Sequence, residues 1–343
     1  MKEKEYTLRH GHGRAVMKAA FSFFFALLHA TSACYIKPEP LPTPPTTKSL
    51  TEQHSDLLSR GLPPSFDWRT KPGVVSPIRS QYIPKWCGSC WAHAVTSSLA
   101  DRVNVLRTSP EYKGGTGSVM LSVQNYLDCA GWTVGTCNGG SWERAFEWAA
   151  NNGVCDDSCS PYKGADGSCG HDQAAMCTLI FENRTAVPVR GARRFKVEDW
   201  GYLSASKDGS TESNATKLEE MQAEIMARGP IVCSMMTNDD HNPLGAWHCY
   251  EGGVYRTKSV FKSTNHVISL LGWGVDDDEE RTPYWIGRHS GGTIFGEEGF
   301  FRIERGVNAL NIESHCGWAS IRDPDPKRAN ASTLPCENGV PRI

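Results

Sequence analysis

Gln81-Tyr-Ile-Pro-Lys-Trp86-Cys87-Gly-Ser-Cys90-Trp91-Ala-His93-Ala94 is the stretch on which the reading of this chain turns. From Cys90 onward, Trp91, Ala94, Val95, Ser98, Leu99, Val103 and Leu106 recur at spacings of three and four. That periodicity predicts an amphipathic helix from Cys90 to Arg107 with the cysteine in its first turn. A thiol placed there meets unpaired backbone N–H groups and the positive end of the helix dipole, which favour the nucleophilic thiolate. Upstream, the Gln81 amide and the Cys90 backbone N–H can both donate to the oxyanion of a tetrahedral intermediate. Such a nucleophile needs a base from elsewhere in the chain. His266 is the candidate, in Asn265-His266-Val-Ile-Ser-Leu-Leu-Gly272-Trp-Gly274, a β-branched run that reads as a strand closed by glycines.

Other segments join these. Pro64-Ser-Phe-Asp67-Trp68-Arg69, Cys137-Asn-Gly139-Gly140 and Tyr284-Trp-Ile-Gly-Arg288, taken with the cysteine stretch, resemble the papain family of cysteine peptidases from about Leu62 to Ile321. Within that family the resemblance is to the cathepsin X (cathepsin Z) branch. Gln81 stands nine residues ahead of Cys90, farther than in most of the family, through an insertion ending Ile83-Pro84 that is similar to the mini-loop of that branch. The resemblance implies a cysteine peptidase in which Cys90 attacks, His266 serves as base and Gln81 stabilises the oxyanion. Gly139, Gly140 and Asn265 would contact the substrate backbone, and Tyr82 would face the substrate from the mini-loop.

The 343 residues carry a net charge of −2 and are 39% hydrophobic, enough for a buried core, with no global field pointing to nucleic acid or an anionic membrane. Basic residues up to Lys18, an apolar run from Ala19 to Leu28 and small residues at Thr31-Ser-Ala33 read as a signal peptide over 1–33, too short in its apolar part for a membrane span. The expected route is secretory, ending in a lysosome-like compartment or outside the cell. Thirteen cysteines suit that oxidising route, and Asn183, Asn214 and Asn330 stand in glycosylation sequons. Residues 34–61 are Pro- and Thr-rich without helical periodicity and read as a short propeptide. Residues 322–343, rich in Pro, Asn and Ser, read as a disordered tail.

By the same resemblance, Cys34 would lock Cys90 as a disulfide in the zymogen, and Cys87 would pair with Cys137, Cys129 with Cys169, Cys159 with Cys177, and Cys233 with Cys316. Sequence alone does not fix connectivity, and Cys155, Cys249 and Cys336 have no family partner, which leaves a Cys155–Cys249 bridge open. Further helices are expected over 122–129, 141–152 and 217–228, and strands over 231–235, 267–271, 284–286 and 300–303. That order gives an α+β class: a papain-like two-lobed fold over 62–321, with a helical lobe of about 81–185, a β-barrel-like lobe of about 186–321, and the cleft between them.

Two positions depart from the family. Where its members have Asn-Ser-Trp-Gly, this chain has His289-Ser290-Gly291-Gly292. A neutral His289 could accept the Nδ1–H of His266 and act as third catalytic residue, a protonated one could not, and Gly291 in place of Trp would admit water to the pair. Tyr82 stands where the branch has a carboxylate-gripping His; it brings one hydrogen-bond donor and no charge, unless Lys85 also reaches in. Carboxypeptidase action is the expected activity, with an endopeptidase or a peptide-binding pseudopeptidase as the alternatives. Disulfide exchange by Cys87-Gly-Ser-Cys90 and zinc binding with His241 or His248 lack the accompanying motifs. The expectation is therefore a monomer needing no cofactor or metal, with peptide or protein substrates, an activating protease and no nucleic-acid partner.

Overall fold

A computed structural model describes residues 34–46, 49–112, 117–169, 193–239 and 246–324, together with the backbone of four short strands outside them. Helices α1 (Leu50–Gln53) and α2 (Ser55–Arg60) precede strand β1 (Phe66–Asp67) and the long helix α3 (Cys90–Thr108). Helix α4 (Val123–Cys129), strands β2 (Gly135–Thr136) and β3 (Gly139–Gly140) and helix α5 (Trp142–Asn152) follow. Strands β4 (Cys177–Ile180), β5 (Ala186–Val189) and β6 (Lys196–Leu203) lead to helix α6 (Ala215–Arg228). The remaining strands are β7 (Ile231–Met235), β8 (Val254–Tyr255), β9 (His266–Val275), β10 (Pro283–Arg288), β11 (Phe300–Glu304) and β12 (Cys316–Arg322). An eight-stranded sheet in the order β6-β12-β7-β9-β10-β11-β8, with β1 also paired to β9, joins the later part of the chain. One apolar core gathers Trp91, Leu99, Tyr126 and Phe146 around the helices, and a second gathers Trp273, Trp285, Phe301 and Ile303 around the sheet.

Helix α3 is not the one-faced helix that its periodicity predicts: every residue from Cys90 to Asn104 is buried. Its charged residues find partners in the elements packed around it, as burial requires. Asp101 accepts from the Ser76 backbone N–H at 2.7 Å and pairs with Arg288 at the end of β10. Arg102 donates to the Pro230 and Ala319 carbonyls at 2.7 and 2.9 Å and to Glu224 of α6 at 2.8 Å. Against the upward push of burial, Arg102, His54 and Arg228 hold the Glu224 carboxyl down at about 2.

The glycines read as closing the His266 strand lie inside β9. A Cβ at 272 would meet the Phe66 carbonyl, and one at 274 the Tyr284 ring, so these positions admit neighbouring chain rather than end the strand. A second correction concerns the segment read as a propeptide, which does contain helix. Ser49 and Glu52 form a capping box, Leu50 is buried, and His54 and Gln53 bond Glu224 and Arg228 at 2.8 and 2.9 Å, so capping and docking onto α6 stand in for periodicity. In the tail, Cys336–Glu337 pairs with Val340–Pro341, while most of 322–343 lies outside the described residues. The signal peptide expected over 1–33 lies outside them too, and among them no helix is long and apolar enough to cross a membrane.

Arg102→Ala would remove the most buried cation paired with Glu224 and leave the Pro230 and Ala319 carbonyls without their donor, lowering the unfolding free energy by about 3–5 kcal/mol, read from urea denaturation of the full chain. A loss near 1 kcal/mol would contradict the role given to this pair.

Candidate active site

Cys90 is the first residue of α3, and its sulfur is joined to Cys34 in a disulfide with the Cα atoms 5.9 Å apart. Cys34 Sγ lies 3.3 Å from Nδ1 of His266, the first residue of β9. The two sulfurs and a ring nitrogen of His266 all fall within 4.8 Å of one another. Gln81 is buried beside them: Ser290 Oγ donates to its Oε1 at 2.6 Å, which turns Nε2 toward Cys34 Sγ at 4.0 Å. The fold thus gathers Gln81, Cys90 and His266 at one point, with the Cys34 sulfur covering the reactive atoms.

His289 is there as well, but not in the expected contact. Nδ1 of His266 faces the sulfur, and the buried nitrogen without a partner is Nε2; Nδ1 of His289 is likewise unpartnered. The two rings meet at 4.7 Å between centroids and 35° between planes, without a hydrogen bond. Both rings are largely covered, although His266, His289 and Gly291 line the edge of the cleft. Phe295 stacks on His289 at 4.0 Å, Trp247 stands edge-on at 6.2 Å, and both histidines are buried. Burial pushes the His266 imidazole down to about 4, and burial with the neighbouring His266 holds His289 well below the usual histidine range. In this disulfide-linked form both shifts oppose protonation of the pair.

His93, one turn along α3, bonds the Ser89 carbonyl at 3.0 Å through Nδ1 and packs edge-on against Tyr162, a structural setting. Along the cleft, the backbone of 34–36 lies across the expected substrate ledge. Cys34 and Tyr35 N–H donate to the Asn265 carbonyl at 3.0 and 3.1 Å, Ile36 N–H to Gly140 O at 2.8 Å, and Gly140 N–H to Cys34 O at 3.2 Å. Gly140 is needed because a Cβ there would enter the Trp91 ring. Gly139 is buried next to it at φ 117°. Beyond the disulfide a cleft of about 540 Å³ opens, walled by Tyr82, Trp86, Trp247, His248, Ile294 and Phe295 among others. Tyr82 is there; Lys85 is not among its walls. Sequence reasoning had no signal for Phe295, nor for the places of Ser290 beside Gln81 and His248 in the cleft wall, which depend on packing between distant segments.

Disulfides also join Cys87 to Cys137, Cys129 to Cys169 and Cys233 to Cys316. Cys159 is disulfide-bonded, and the side chain of Cys177, its expected partner, lies outside the described residues, as does that of Cys336. The bridge left open between Cys155 and Cys249 is not formed: Cys155 is buried with its thiol pushed up to about 12, while Cys249 is an exposed free thiol. With Cys87 bound to Cys137, Cys87-Gly-Ser-Cys90 is not a redox pair. Asn214 is exposed and caps α6 through Oδ1, 3.0 Å from the Lys217 N–H; Asn183 and Asn330 lie outside the described residues.

His289→Asn would give His266 Nε2 an uncharged acceptor, so kcat/KM of the processed protein should rise; an unchanged or lower value would count against the contact described. The same variant tests the buried rings. Each is neutral when folded and takes up its proton on unfolding once the pH is below about 6.5. The stability they contribute is present above that pH and is lost as pH falls toward the folded value. Removing one ring should flatten the decline in unfolding free energy between pH 6.5 and 5 by up to ~1.4 kcal/mol per pH unit, read from urea titrations.

The papain family cysteine protease profile matches residues 62–321. Cathepsin Z of Onchocerca volvulus is 35% identical over 268 residues, covering 75% of this chain and 78% of that protein. Cathepsin B-like cysteine proteinase 3 of Caenorhabditis elegans is 30% identical over 286 residues, covering 81% and 71%. Among solved structures, procathepsin B S9 from Trypanosoma congolense superposes with a TM-score of 0.64 at 22% identity, covering 87% of this chain and 89% of that one. Digestive procathepsin L2 from Tenebrio molitor larval midgut gives 0.58 at 24%, covering 85% and 79%. At those identities the superpositions establish the papain-like α+β fold, and the profile and the relatives together place the chain in the papain family of cysteine peptidases.

Proposed function

We propose that this chain is the zymogen of a cysteine carboxypeptidase, in which Cys90 is the nucleophile, His266 the base, and Gln81 with the Cys90 N–H the oxyanion hole. The observation that carries the reading is the meeting of Gln81, Cys90 and His266 under the Cys34 sulfur. A mixed disulfide removes the thiolate, so activation would need both a reductant and release of the propeptide by a protease. Once free, the Cys90 thiolate at the helix N-terminus would attack the scissile carbonyl, and the charge formed on oxygen would meet the Gln81 amide. His266, protonated at Nδ1 in the ion pair with that thiolate, would then pass its proton to the leaving amine. His289 would act on His266 by packing, supporting a slower enzyme than one with an amide acceptor.

Exopeptidase action is supported by the similarity to cathepsin Z and by the mini-loop, whose Tyr82 walls the cleft beyond the disulfide together with Trp86 just after it. Carboxylate recognition there would fall to Tyr82 and to His248, which lines the same cleft. The disulfides and the cathepsin relatives support a secretory route to a lysosome-like or extracellular destination, and a monomer suffices for this chemistry.

Release of the C-terminal residue from a free-acid peptide should be abolished by Cys90→Ala and should exceed that from the matching C-terminal amide. His248→Gln should narrow that ratio by raising KM for the acid alone. Equal turnover of acid and amide with internal cleavage would favour an endopeptidase; no turnover on either would favour a peptide-binding pseudopeptidase.

A further inference from the structure

Cys34, Cys90 and His266 form one buried cluster, with the two sulfurs and a ring nitrogen of the histidine all within 4.8 Å of one another. Reduction changes what this cluster is. A thiol reductant, itself oxidised to a disulfide, leaves two free thiols beside a neutral imidazole. The segment that carries Cys34 is held in place by more than the S–S bond. The N–H groups of Cys34 and Tyr35 donate to the Asn265 carbonyl at 3.0 and 3.1 Å, and that of Ile36 to the Gly140 carbonyl at 2.8 Å. Tyr35 is buried, with its hydroxyl on Glu143 at 2.7 Å, and further along the segment His54 bonds Glu224 at 2.8 Å. Breaking the disulfide removes none of these contacts. The reduced chain therefore keeps the Cys34 sulfur beside Cys90 and facing Nδ1 of His266, which stands 3.3 Å from it.

We propose that the reduced, unprocessed protein binds one zinc ion between Cys34, Cys90 and His266, and that the metal takes over the lock once the disulfide is gone. The site stands on this geometry alone; its role as a lock rests on the peptidase reading above. Two thiolates and an imidazole are the soft, tetrahedral set that suits zinc, with bonds of about 2.3 Å to sulfur and about 2.0 Å to nitrogen that put the donor atoms about 3.5–3.8 Å apart. The separation between the Cys34 sulfur and His266 is already close to that spacing, and with Cα atoms 5.9 Å apart both cysteines reach a common ion. Charge favours it too. Binding releases one proton from each thiol, so the ion and the two thiolates occupy the buried position as a neutral unit. Cys90 lies at the N-terminus of α3, and Nε2 of Gln81 faces the Cys34 sulfur at 4.0 Å, so each thiolate has donors turned toward it. The fourth position opens on the cleft, whose walls include Cys34 and His266, and a water can fill it. While the ion is held, neither Cys90 nor His266 is free to react. Departure of Cys34 with its segment removes one thiolate and loosens the metal, so processing would end both locks.

The test uses the unprocessed protein, treated with a phosphine reductant until two further thiols appear and are assigned to Cys34 and Cys90 by peptide mapping. Equilibrium dialysis against zinc should then leave one tightly held ion per chain, whereas the untreated protein, with the disulfide closed, should hold none. Cobalt(II) in place of zinc should give a thiolate-to-metal charge-transfer band that loses intensity in Cys34→Ser. Zinc affinity in that variant should fall by about a hundredfold or more, beyond the loss that outer-shell partners cause. Cys249→Ser, which removes the exposed free thiol, should leave both readings unchanged. No ion on the reduced protein, equal binding before and after reduction, or unchanged affinity in Cys34→Ser would overturn the proposal and leave the peptidase reading untouched. Alkylation of Cys90 in the reduced protein reads the lock directly: it should be several-fold slower with zinc than with a chelator, and equal rates would overturn that role.

Discussion

Helix α3 is the element on which the remaining structure depends, because it is buried along its whole first part while carrying charged residues. Adjacent side chains bolt it in opposite directions. Asp101 fixes the end of β10, one residue before His289, and Arg102 fixes α6 and the turn into β7. A buried ion pair adds little net stability against an apolar alternative, yet removing one partner is expensive, so such pairs hold parts in one arrangement. Here the arrangement held is the distance between Cys90 at the helix start and the strands that bring His266 and His289.

On the proposed reading, that geometry would also let a zymogen be both assembled and silent. Gln81, His266 and the ledge at Gly140 are already bonded in the positions that catalysis would use, but to residues 34–36. Residues 34–36 take up the groups that a substrate would need on that reading, and the Cys34–Cys90 disulfide stands in place of a free thiol. A second attachment, from α1 and His54 onto Glu220, Glu224 and Arg228, secures the segment by polar contacts away from Cys34. Reduction alone would thus free the sulfur without freeing the segment.

Much of this was legible in the residues. Cys90 at a helix start, the β-branched run after His266 and the helix expected over 217–228 each state their local structure through periodicity, dipole and backbone restriction, and the α+β order follows from them. What was not legible depended on partners distant in sequence. Gly272 and Gly274 look like strand ends until Phe66 and Tyr284 arrive beside them. The burial of α3 on all sides is invisible in a pattern whose polar positions look like a solvent face. At the site, the ring nitrogen that His266 presents to sulfur, the cover given by Phe295, and the Glu143 floor under Tyr35 all arise from packing between elements. No short motif encodes any of them.

The central claim, that Cys90 is a thiolate nucleophile working through His266, is tested most directly by labelling the processed, reduced protein with a peptidyl epoxide and locating the adduct by peptide mapping. Cys249, exposed and free, serves as the reference thiol in the same sample. The account predicts modification at Cys90 faster than at Cys249 by about tenfold or more, as its activated setting requires, and loss of that advantage in His266→Ala. Labelling of Cys249 ahead of Cys90, or an unchanged Cys90 rate without His266, would contradict it.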